Sequence, residues 1–173
     1  MKTLNDHLSQ YAAYHRDRRN IVTHFIGIPM IVLSVVVLLA RPAFDVAGLP
    51  LSPATLAVIA ATLYYLRLDL RFGVVMGLLL AACLAVAHAT AGLSTGAWAT
   101  FGVGLFVMGW VIQFVGHIYE GRKPAFVDDV MGLIIGPLFV VAELAFLMGL
   151  RREVEAVVES RAGPVHGGRE LAK

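Results

Sequence analysis

Apolar residues along this chain gather into long runs separated by short polar stretches, and the runs have the length of membrane helices. Ile21 to Ala40 is apolar except for Thr23, His24 and Ser34, about twenty residues and so enough to cross a hydrocarbon core of roughly 30 Å. Arg41 to Pro53 carries Pro42, Pro50 and Pro53 and reads as a loop. Ala54 to Leu66 gives a second, shorter span that ends in Tyr64 and Tyr65 at interface depth. Phe72 to Ala91, which includes His88, is a third. Ala97 to Tyr119 is a fourth, and its Gly102, Gly104, Gly109 and Gly116 offer close helix approach. Val130 to Leu150 is apolar but interrupted by Gly136 and Pro137, so this fifth segment is expected to break there and re-enter the face it left. Ahead of the spans, Leu4, Leu8, Tyr11 and Tyr14 recur at helical spacing, which predicts an amphipathic helix over 4–14 lying on the membrane surface. The fold class predicted is all-α, a multi-pass transmembrane helical bundle of four spans plus a Pro-broken, re-entrant fifth segment. One domain covers residues 1–150, and 151–173 form a charged tail, a short helix followed by disorder.

Composition agrees with an integral membrane protein: 58% of the 173 residues are hydrophobic, 15% are charged, and the mean hydropathy is +0.77. A net charge of +2 without a basic run interleaved with aromatics is too small to suggest nucleic acid as a partner, and none is expected. Residues 1–20 are polar before any apolar run, so no cleaved targeting peptide is expected. With the N-terminus inside, a re-entrant fifth segment puts thirteen of the fourteen Lys and Arg residues on the inner side and Arg41 alone outside; a crossing fifth segment gives eight against six. Re-entry is therefore preferred. Cys83 is the only cysteine, which rules out an intrachain disulfide and a thiolate metal cluster; it reads as helix filling.

Charge patterning also sorts the histidines. His15, His24 and His117 fall at cytoplasmic ends of spans together with Glu120, whereas His88 falls at the outer end of the third. On a helix continuing through Glu120, Gln113, His117 and Glu120 stand at i, i+4 and i+7 and share one face. Ionisable groups at membrane depth are costly, by roughly 2.5 kcal/mol or more each at the centre, so three imidazoles and a carboxylate at one depth point to a metal site. Such ligands suit iron, zinc or copper, and two histidines with a carboxylate leave positions open on iron(II). Too few carboxylates are present for a full di-iron centre. Asn20 reads as an outer partner that orients His15 or His24, or as a helix cap. Arg122 and Lys123 read as substrate-binding or as inner-face anchors, and Asp128 and Asp129 as caps of the last segment. Glu143 is expected to pair with an arginine, and His7 and His166 to be solvated. Three classes stay open on these residues: an oxygen-dependent iron enzyme, a zinc-dependent membrane hydrolase, and a non-catalytic transporter or lipid-binding protein with a structural metal or proton-relay histidines. A transporter predicts an internal repeat and a cluster at the midplane, and the sequence has neither.

Two stretches, YHRDRRNIVTHFIGIP (Tyr14 to Pro29) and QFVGHIYEGRKPAFVDD (Gln113 to Asp129), the second followed by GPLFVVAE, resemble the 2-hydroxy fatty acid dioxygenase family over roughly Leu8 to Gly149. The resemblance implies an Fe(2+)-dependent membrane enzyme that uses dioxygen to shorten long-chain 2-hydroxy fatty acids by one carbon, an α-oxidation that releases CO2. It implies His15, His24 and His117 as catalytic metal ligands, with Glu120 as a further ligand and Gln113, Arg122 and Lys123 in contact with the acyl substrate. The lack of targeting extensions suggests a bacterial inner membrane, with membrane lipid around the protein and the active site on the cytoplasmic side.

Overall fold

The computed structural model describes residues 2–46 and 49–167. Seven helices follow one another: α1 (Leu4–Ala12), α2 (Arg18–Ala40), α3 (Pro53–Leu68), α4 (Leu70–Thr90), α5 (Thr95–Glu120), α6 (Gly132–Leu147) and α7 (Arg152–Ala162). The fold is all-α as the hydropathy pattern predicts. One small addition stands in the proline-bearing loop, where β1 (Phe44–Val46) pairs antiparallel with β2 (Leu49–Leu51). The chain forms two compact units, Pro29–Trp110 and a second built from Met1–Ile28 with Val111–Lys173.

In the unit Pro29–Trp110, α3 and α4 fold back on each other through a single residue. Asp69 ends α3 by donating its N–H to the Tyr65 carbonyl at 3.0 Å and caps α4 by accepting from the Phe72 N–H at 2.9 Å. The pair closes tightly at Gly73, where a Cβ would stand 2.5 Å from the Leu66 Cα. Gly102 likewise admits the Leu38 side chain, whereas Gly104 faces open space. Trp98 donates its indole N–H to the Val37 carbonyl at 3.1 Å, and Arg41 lies over the Trp98 ring.

Lengths qualify the predicted spans. α2, α4 and α5 are long and apolar enough to cross a membrane. α3 has 16 residues, about 24 Å of helix, and falls short of a full crossing without local thinning of the bilayer or help from its flanks. The fifth segment is bent, but not at its proline. α6 runs unbroken through Pro137, and the chain turns by 114° only between α6 and α7. The physical reason is position: Pro137 is the sixth residue of α6, so the bond it forfeits is to the Leu133 carbonyl in the first turn, where bonds from Ile134 and Ile135 to Met131 already hold the backbone. The bend falls where Gly149 (φ 73°) and Arg151 (φ 56°) take left-handed conformations that no helix continues through.

In the other unit, α1 does not lie free on a surface. Thr3 and Asp6 form a capping box at its start, and its apolar face of Leu4, Leu8, Tyr11 and Ala12 is buried against α6 and α7. His7, expected in solvent, is buried on that helix, and burial lowers its pKa below the ordinary histidine value. α7 is the short helix expected in the tail; it returns Val154 and Val158 to the interior and pairs Arg161 with Asp6 at 2.8 Å. After it, the His166 backbone pairs with that around Asp17, so the stretch just past α7 is held by hydrogen bonds, with the His166 side chain half-buried and its neighbours exposed. The rest of the expected disordered tail lies outside the described residues.

Candidate metal centre

His15 sits in the turn between α1 and α2, His24 in the second turn of α2 and His117 in the last turn of α5. Each offers one ring nitrogen, and the three nitrogens lie within 4.8 Å of one another, all on buried side chains. Ring centroids are 4.4 Å apart for His15 and His24, 5.0 Å for His15 and His117, and 5.2 Å for His24 and His117, each pair edge-on. It is the 4.8 Å limit on the nitrogens, rather than the ring angles, that brings the three to one place.

Local structure sets which nitrogen is presented. His15 Nδ1 lies 2.7 Å from the Tyr11 carbonyl and His24 Nδ1 lies 2.8 Å from the Asn20 carbonyl, in both cases the residue four positions earlier. A carbonyl only accepts, so each Nδ1 carries the proton and each Nε2 keeps its lone pair free. His15 Nε2 and His117 Nδ1 are buried without a hydrogen-bond partner. Burial, reinforced by the neighbouring His24, holds His15 well below the usual histidine range, so it is neutral at neutral pH. Neutral imidazoles with buried, unpartnered nitrogens fit a divalent transition metal, and three ligands leave coordination positions for a substrate.

Glu120 stands apart from these nitrogens. Its carboxylate accepts from the Arg16 N–H at 2.9 and 3.1 Å, the Asp17 N–H at 2.9 Å and the Asn20 amide at 2.9 Å, so it staples the turn carrying His15 to the end of α5. The ligand position expected for Glu120 is thus held by three donors of the protein itself, and the cluster of candidate ligands contains the three histidines alone among the described residues. Asn20 serves both sides of this arrangement, its carbonyl on His24 and its amide on Glu120. Gly116 lets α2 and α5 come this close: a Cβ there would stand 2.0 Å from Thr23 Oγ1 and 2.5 Å from Asn20 Oδ1.

Of the residues expected at the substrate, Gln113 is 4% exposed and neither its amide nitrogen nor its oxygen has a partner. Arg122 and Lys123 are exposed and engaged, the first with the Ala13 carbonyl at 2.8 Å and the second with Asp128. Asp129 accepts from the Met131 N–H just before α6, close to the capping expected of it. His88 is exposed on α4 and belongs to no ligand group.

Two functional neighbours escape a reading of the sequence. Tyr11 stacks flat on His15, 4.2 Å between centroids and 4° between planes, with Phe139 tilted beside both. Its helical spacing fits a lipid-facing residue equally well, but Tyr11 and His15 at i, i+4 are the signal that was available. Arg16 is buried and reaches Glu143 at 3.3 Å. It is hidden in the run Arg16 to Arg19, which membrane topology alone explains; a carboxylate in the apolar α6 was its clue.

Fold and cluster together define a class: an all-helical protein with helices long enough to cross a membrane and a buried three-histidine group able to hold a metal ion. More narrowly, the chain belongs to the Mpo1-like family, described as 2-hydroxy-palmitic acid dioxygenase Mpo1-like, whose family model matches residues 1–148. It is similar to the 2-hydroxy-palmitic acid dioxygenase MPO1 of Saccharomyces cerevisiae, with 32% identity over 161 residues that cover 90% of this chain and 87% of the yeast protein. No solved structure matches the chain.

Proposed function

We propose that this protein is an iron(II)-dependent membrane dioxygenase that converts a long-chain 2-hydroxy fatty acid to the acid one carbon shorter. The observation that carries the reading is the buried group of three imidazole nitrogens within 4.8 Å, in a chain whose family is described by that activity. The reaction R-CH(OH)-COOH + O2 → R-COOH + CO2 + H2O balances without an external reductant. Iron(II), when bound, supplies a centre on which a hydroxy acid can chelate and dioxygen can react.

The chain's own residues have distinct tasks. His15, His24 and His117 hold the metal; the Tyr11 and Asn20 carbonyls fix the ring tautomers of the first two. Glu120 and Asn20 hold the His15 turn against α5. Gln113, one helical turn before His117, contributes an unpartnered amide donor and acceptor to the polar end of the substrate. Arg122 and Lys123, exposed and already bonded to Ala13 and Asp128, keep further donors for an anionic group and are assigned to the entrance rather than to the reacting atoms. The acyl chain enters sideways between apolar helices from the bilayer, in a bacterial inner membrane with the site on the cytoplasmic side.

The deciding experiment is anaerobic purification with iron quantification, followed by oxygen and CO2 stoichiometry on 2-hydroxypalmitate. One O2 consumed per CO2 released, with no 2-oxoglutarate or NADPH added, is the expected result. Palmitate and 3-hydroxypalmitate should not turn over, because they cannot form the same five-membered chelate. Comparable turnover of palmitate, or strict dependence on a reductant, would overturn the assignment in favour of a hydroxylase.

A further inference from the structure

His24 and His117 are placed by the helices they belong to, but His15 lies between two helices, so its position depends on what grips the turn around it. That turn is gripped from the C-terminal part of the chain as well as from α5. The buried Arg16 side chain donates its Nε–H to the Ala12 and His15 carbonyls at 2.9 and 3.0 Å, one Nη to the Gly163 carbonyl at 2.9 Å, and the other to Glu143 of α6 at 3.3 Å. His166 then donates its backbone N–H to the Arg16 carbonyl at 2.9 Å and accepts from the Arg18 N–H at 3.1 Å. The extended stretch 163–167 is delivered to this place by α7, which docks on α1 through the buried Val154 and Val158 and the Arg161–Asp6 pair.

We propose that Arg16, Glu143 and the stretch 163–167 are positioning elements that set the place of His15 and so tune how tightly the three-histidine site holds its metal. The inference rests on reading those histidines as a metal site. Its physical basis is a matched set of bonds. An arginine fork links the Gly163 carbonyl to the carbonyl of the ligand residue itself, and a backbone bridge from His166 brackets Asp17, so a shift of 163–167 reaches the His15 backbone by two routes, one through the Arg16 side chain and one through backbone alone. Most of this device lies beyond the residues matched by the family model, in a helix and strap with no ligand of their own.

The test uses full-length protein in detergent, titrated with Co(II) and followed by its visible ligand-field spectrum. His166→Pro removes the N–H that bonds Arg16, whereas His166→Ala removes the ring and keeps that bond. His166→Pro is expected to weaken Co(II) binding about tenfold, the lower end of the loss seen when a partner behind a metal ligand is removed, and to shift the bands. His166→Ala should stay close to the parent in both. Arg16→Lys keeps a charge opposite Glu143 but loses the fork, and should move affinity and spectrum in the same direction. Should a thermal melt show His166→Pro misfolded, Arg16→Lys decides alone. Parent-like affinity and bands in Arg16→Lys, or in a folded His166→Pro, overturn the proposal. A parent that takes up no Co(II) overturns it together with the metal reading, while a parent that binds Co(II) but leaves 2-hydroxypalmitate untouched strikes the reaction alone.

Discussion

The Nδ1–H groups of His15 and His24 bond to carbonyls of their own backbone, and the Nε2 of His15, like the Nδ1 of His117, is buried with no donor of the protein on it. Replacing any of His15, His24 or His117 by alanine is therefore expected to abolish iron retention and turnover while the protein still inserts, whereas His88→Ala, exposed on α4, should retain both. Metal analysis of the purified variants checks this, and an iron-free His88→Ala would contradict it. Glu120→Gln gives a finer contrast. The amide keeps an oxygen for part of the Arg16, Asp17 and Asn20 set but loses the charge, so affinity for iron should drop by about tenfold rather than vanish, as for an outer partner rather than a ligand. The three histidines are legible in the sequence because an imidazole in an apolar run has few ordinary explanations. Glu120 is ambiguous in the sequence because its spacing from His117 suits a ligand as well as a staple for a turn a hundred residues away.

At the level of helices, the closest approach near the site is that of α2 and α5 at Gly116. Gly116→Val must push Thr23 and Asn20 aside and should cost more than about 3 kcal/mol, since it combines overpacking with the loss of the His24 orientation. Its measurement is a denaturant or thermal melt in detergent beside Gly104→Val, which meets nothing and should be nearly silent. The bend after α6 makes a second demand. Gly149→Ala places a Cβ on a left-handed residue and should destabilise the protein by about 1 kcal/mol, read from the same melts. Helix lengths were legible from hydropathy and the close approach at Gly116 from its place in a glycine-bearing span. The bend was not, because Pro137 announces a break that its position six residues into α6 makes unnecessary, while Gly149 looks like any loop glycine. The face of α1 was misassigned for a related reason: an amphipathic pattern states that one side is apolar, not whether lipid or protein covers it.

For the whole molecule, pH carries a readable signature. His7 is buried and its pKa is lowered, so its neutral form belongs to the folded state and the unfolded chain takes up the proton first. Stability contributed this way is complete above the unfolded value of about 6.5 and is lost as pH falls below it. Melting temperature should therefore decline from pH 7 toward pH 5, and His7→Leu should flatten part of that slope; an unchanged slope would contradict the burial of His7. Topology is testable on the same scale. With Cys83 removed, single cysteines placed near the N-terminus and in the 121–131 loop should both be labelled only after the cytoplasmic face is opened. Labelling of the loop from outside intact cells would split the histidines between two faces.

Order of synthesis adds a last consequence. His15 and His24 leave the ribosome early, but the third nitrogen belongs to His117, at the end of the fourth apolar helix, and the Glu120 carboxylate that staples the His15 turn follows it. No complete set of donors exists until α2 to α5 have all been synthesised. A metal ion held by all three histidines could therefore join the chain only after α5 has been made, entering a cluster already assembled rather than organising it from the start.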